Sequence, residues 1–164
     1  MSTEPVQDRG TRGTPYISAA DVVSTALRHV SRVMTESGGH EAAVLRGLAM
    51  LAELDVMSAD DVEVLGEMTS KLERHDDDVV TALEDLHDGL ILEPGSSPCA
   101  LALAGLAVQV GGEAEEKDPG SNCQKWGRII IGAVTGAYVG LGQDLTGLGA
   151  VAGAAAARAA QWSR

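Results

Sequence analysis

The chain contains no phenylalanine and only two tryptophans and two tyrosines in 164 residues. Aromatic rings supply much of the buried area of ordinary cores, and they form the platforms of carbohydrate, nucleobase and flavin sites. Their scarcity argues against such a site and calls for a core assembled from Ala, Val and Leu on helix faces. Cysteine is as sparse. Cys99 and Cys123 stand 24 residues apart with no CxxC, which matches neither a zinc nor a redox pattern. They read as reduced thiols, with a Cys99–Cys123 disulfide as the alternative if the chain is exported.

The motifs of catalysis are also missing. There is no P-loop, GxGxxG, GxSxG elbow or HExxH. His29, His40, His75 and His87 are separated by 11, 35 and 12 residues, which suits no ligand pair on one helix face. The run Asp76-Asp77-Asp78 has a sufficient structural reason, because carboxylates at a helix start complement the macrodipole. A divalent cation is the alternative there, although the looped spacing of a calcium site is lacking. No enzyme activity, metal or cofactor is expected. The polar start, MSTEPVQDRGTRGTP, has no apolar run behind its charges and so no conventional signal peptide.

The net charge of −12 is divided unevenly: residues 122–164 carry +3 and residues 1–121 carry −15. An acidic body repels phosphate backbones, so nucleic acid is not an expected partner. Within that body, after a lead-in over residues 1–15 that reads as disordered, helix signals recur. Ser18 is an N-cap with Asp21 three residues on, and Ile17 and Val22 stand in the positions of a hydrophobic staple. Val22, Val23, Ala26, Leu27, Val30, Val33 and Met34 then share one face, and Gly38-Gly39 stops the helix. A second helix fits His40 to about Leu54. Met57, Ser58, Asp61 and Val62 repeat the earlier start forty residues on, as a duplicated helix pair or as two ordinary capped helices. Third and fourth helices follow on Val62, Leu65, Met68, Leu72 and on Val79, Val80, Leu83, Leu86, Leu90. Ser97-Pro98 opens a fifth, apolar on nearly every side, whose fourteen residues span about 21 Å, short of a hydrocarbon core. It is predicted to lie in the centre of a bundle or against the tail. Gly111-Gly112 ends it, and residues 111–121 read as a linker.

The tail, residues 122–164, holds eight glycines in 43 residues. Gly132, Gly136 and Gly140 form GxxxGxxxG, and Gly149 and Gly153 add a second GxxxG. Each glycine in a helix interior costs about 1 kcal/mol relative to alanine, and close approach of a second backbone is the natural offset. Lys125, Trp126 and Arg128 at one end and Arg158, Trp162 and Arg164 at the other read as interfacial anchors. The alternative is a solvent-facing fringe on a helical hairpin. The nine Ile, Val and Leu residues of the segment favour insertion by roughly 3 to 5 kcal/mol, and a central Asp144 costs about 2.5 to 3.5. A lone span is therefore marginal, and a hairpin with Gln143 and Asp144 at its tip is the preferred reading.

The stretch NCQKWGRIIIGAVTGAYVGLGQDLTGLGAVAGAAAARAA resembles the mature segments of glycine-zipper class II bacteriocins, on composition and on the spacing of Gly132, Gly136 and Gly140. Gly111-Gly112 looks like a double-glycine leader junction, although 112 residues precede the cut. The resemblance implies paired membrane-permeabilising helices. The expectation is an all-α chain with an acidic bundle over residues 16–110 and a Gly/Ala-rich hairpin over 122–164. Its tail would engage membrane lipid or partner helices, a second copy included, and the chain would be membrane-associated, with export by a non-standard route as one option. The alternative is a soluble, cytoplasmic helical interaction module with the tail packed into the bundle.

Overall fold

Short-range capping decides where the helices begin, and their apolar spacing decides how they stack. The computed structural model describes residues 18–36, 38–74, 78–113, 119–141 and 144–162. These form seven helices and no strand: α1 Ala19–Thr35, α2 His40–Glu53, α3 Ala59–Arg74, α4 Val79–Leu92, α5 Pro98–Gly111, α6 Pro119–Leu141 and α7 Thr146–Trp162. The expected lead-in over residues 1–15, Ile17, the His75-Asp76-Asp77 stretch, linker residues 114–118, Gln143 and Arg164 lie outside the described residues, as do the side chains of His40 and Trp162.

The two related helix starts are both capped. Ser18 Oγ accepts from the backbone N–H of Asp21 at 3.2 Å, and Ser58 Oγ accepts from that of Asp61 at 3.1 Å. Only the second closes the reciprocal box, with Asp61 Oδ2 accepting from Ser58 N–H at 3.3 Å. The same oxygen accepts from Ser97 N–H at 3.3 Å, so the buried Asp61 ties the start of α3 to the start of α5. Ser97 in turn caps α5 through Ala100 N–H, with Pro98 in the first turn. Gly38, at φ +98°, supplies the left-handed residue between α1 and α2.

One hydrophobic core runs from α1 to α7. α5 contributes Leu103, Ala104, Ala107 and Val110 to it, and α6 contributes Trp126, Ile129, Ile130, Ala133, Val134 and Ala137. α6 touches α1, α2, α3, α5 and α7. Buried residues before and after residues 111–121 belong to this one core. The reason is the large apolar face of α6, which seeks the aliphatic stripes that the first five helices leave open. Among the described residues no helix is long and apolar enough to cross a membrane.

Candidate functional site

The tail presents three adjoining features: a glycine face, a buried charged network and an apolar groove. The first follows from helical geometry. At about 100° per residue, the stripe Gly132, Gly136, Gly140 lies roughly a quarter-turn around α6 from the stripe of Trp126, Ile130, Ala133 and Ala137. The second stripe is buried against the body, and the first meets α7. A Cβ on Gly132 would fall 2.5 Å from the carbonyl oxygen of Gly153. One on Gly136 would overlap the Gly149 carbonyl, and one on Gly140 the Leu145 carbonyl. Each step of four toward the turn on α6 matches a step of four on α7, which is an antiparallel register. Asp144, at φ 57°, sits in the turn between the two helices. Gly47 of α2 plays a similar part on the opposite side, where an added Cβ would lie 2.6 Å from Ile130 Cγ2.

The charged network lies where α7 crosses the end of α5. Arg158 is only 2% exposed. Its Nη1 donates to Glu113 Oε1 at 3.2 Å and to Gln161 Oε1 at 2.8 Å, its Nη2 donates to Glu113 Oε2, and its Nε donates to Gln109 Oε1 at 3.3 Å. Lys125 Nζ reaches the same Glu113 carboxylate at 2.8 Å, and Gln161 Nε2 donates to the Lys125 carbonyl at 3.0 Å. One carboxylate thus holds a cation from each tail helix.

The expected anchors are placed differently from an exposed aromatic and cationic fringe. Trp126 is 1% exposed, and its Nε1–H donates to Thr69 Oγ1 at 2.9 Å, while Thr69 donates to the Leu65 carbonyl at 2.9 Å. Arg158 is buried in the network just described, Lys125 is half-buried, and Arg128 is exposed. The spacing of Trp126 with Ile129 and Ile130 explains the difference, since all three fall on the body-facing stripe. Reasoning from sequence missed Thr69, Gln109, Glu113 and Gln161. Their only signal is polarity inside or beside apolar helix faces, and nothing local pairs them with residues 36 to 57 positions away.

The groove is lined by Val23 and Leu27 of α1, by Thr135 and Val139 of α6, and by Leu145 and Leu148 at the start of α7, with a volume of about 590 Å³. Thr135 is 7% exposed, and its hydroxyl has no hydrogen-bond partner among the described residues. A helical threonine ordinarily bonds the carbonyl four residues back. An unsatisfied buried hydroxyl is a net cost, so Thr135→Val should raise the unfolding free energy by about 1 kcal/mol in urea titrations. A fall in stability would show that the hydroxyl has a partner in solution.

Cys99 and Cys123 are free thiols. Burial, helped by the charge of Asp61, pushes the Cys99 thiol up to about 12. Burial, then a hydrogen bond to Glu73 and the charges of Glu73 and Glu41, push Cys123 up to about 12. Only the thiolate is nucleophilic, so iodoacetamide at pH 8 should label neither in the folded protein and both in urea. The folded chain holds these protons more tightly than the unfolded one. Their contribution to stability is therefore intact below pH 9 and is lost as the pH rises toward 12.

Among the described residues no group of His, Cys, Asp and Glu is arranged to hold a metal ion. No family model matches the chain, and comparison with curated proteins and with solved structures returns no match.

Proposed function

We propose that this protein is a helical interaction module whose glycine-rich tail is part of the folded bundle and whose apolar groove receives a partner. The observation that carries this reading is the position of α6, which is wedged between α7 and four helices of the body with Trp126, Ile129 and Ile130 fully buried. Freeing α6 would expose those side chains, each worth about 1.5–3 kcal/mol or more of burial. The test is native amide exchange of the full-length chain with a membrane sedimentation assay. Protection in α6 equal to that in α3 and α5, with the protein left in the supernatant after a salt wash, supports the reading. Fast exchange confined to residues 122–162 counts against it.

A second reading has its own support. Glu113 of the acidic body holds the tail cations Lys125 and Arg158, as a restraint would. In this reading the tail is a glycine zipper of the bacteriocin-like kind that associates with lipid or oligomerises once the restraint is lost. Full-length Glu113→Ala protein should then release dye from anionic vesicles that the parent chain leaves intact. Equal inactivity of the two would sink this second reading without touching the first.

A further inference from the structure

The geometry points to a second copy of this chain as the occupant of the α1–α6–α7 groove, in a two-fold, antiparallel dimer. This rests on the interaction-module reading and names its partner. Four of the nine exposed large apolar side chains of the described residues, Val23, Leu27, Leu145 and Leu148, line this one groove, and Leu148 is 64% exposed. Clustering of that kind marks an interaction surface rather than scattered surface apolarity.

The walls of the groove run parallel. Val23 and Leu27 lie beside Thr135 and Val139, whereas Met34 and Thr35 lie beside Gly127 and Ile131, so α1 is antiparallel to α6. α7 is antiparallel to α6 as well, by the glycine register. The groove therefore has two distinct ends. Exposed Asp144 immediately precedes Leu145 at the end formed by Val23 and Leu145. Exposed Arg128 stands one turn before Gly132 on the same α6 stripe, toward the other end.

That polarity selects the occupant. A two-fold axis perpendicular to the groove lays a second groove across it in the opposite sense. The acidic end of each copy then meets the basic end of the other, and each Leu148 enters the gap between α1 and α7 of its mate. Isologous contacts of this kind close on themselves. Acid-rich α3 and α4 contribute no lining residue, so half of the −12 charge stays off the contact.

Sedimentation equilibrium on the full chain tests the proposal. The parent protein should show a concentration-dependent monomer–dimer equilibrium. Leu148→Glu should weaken it by about tenfold or more, as loss of a central anchor does, while the urea midpoint stays close to the parent's because Leu148 is outside the core. Asp144→Arg and Arg128→Asp should each weaken dimerisation, and the double variant should recover most of it. A parent chain that stays monomeric to high micromolar concentration overturns the proposal, as does a dimer indifferent to Leu148→Glu. If that monomer floats with vesicles, or binds another protein, and Leu148→Glu abolishes it, the groove has a different occupant. The dimer is then wrong and the interaction-module reading stands.

Discussion

Gly136→Ala should destabilise the protein by about 3 kcal/mol or more, although the same change at an open helical position stabilises by about 1 kcal/mol. The added Cβ would overlap the carbonyl of Gly149, and the atom it meets belongs to a helix backbone that has no rotamer to change. α6 has little room to retreat, because an adjoining face carries Trp126 and Ile130 buried against the body. α7 must move instead, and Ala150, Ala154 and Arg158 hold it on its far side. Overpacking in ordinary cores costs about 1–3 kcal/mol because side chains share the adjustment; a backbone-to-backbone contact pushes the cost to the top of that range or past it. Gly127→Ala is the control in the same helix. Its Cβ would sit 3.9 Å from Val44 Cγ2, an ordinary contact, so the propensity gain should survive. Urea midpoints of the two variants should move in opposite directions. If both rise, α6 and α7 are not in close contact in solution.

The contrast between those two glycines shows what the sequence discloses. The starts at Ser18, Ser58 and Ser97 are legible because a cap and its acceptor lie within four residues of each other. The five helices of the body and the all-helical class follow from such caps and from apolar spacing. The glycine stripes of the tail are legible for the same reason, since spacing by four places residues on one face. The partner of each stripe is not. A run of Ile129, Ile130 and Ile131 beside a tryptophan reads equally as membrane anchor and as bundle core, and the choice depends on what the first five helices leave uncovered. Glu113 illustrates the limit. In sequence it is the first acid of a polar stretch after two glycines, and its role comes from cations 12 and 45 residues away.

Removing that acid should have the second large effect. Glu113→Ala is expected to cost about 3 kcal/mol, near the low end of the range for breaking a buried ion pair. Arg158 would remain 2% exposed without its Glu113 partner, while the amide oxygens of Gln109 and Gln161 still accept from it. The low end applies because the Glu113 side chain is 28% exposed and water can follow it into the gap. Arg158→Met should behave differently. It removes the charge rather than its partner, fills a similar volume with apolar atoms, and leaves Glu113 with Lys125 at 2.8 Å. Exchange of a buried pair for well-packed apolar side chains is often neutral, so a loss within about 1 kcal/mol is expected. The double variant should then recover most of what Glu113→Ala alone loses, giving a coupling of about 2 kcal/mol, within the range for residues in contact. Urea titrations of the four chains at fixed pH and salt measure it. Additive losses would show that Arg158 finds other counter-charges when Glu113 is gone. Strong coupling would mean that the junction of α5 and α7 depends on charge neutralisation. The apolar contribution of α7 there is small, since Ala150 and Ala154 are its only buried apolar side chains among those described.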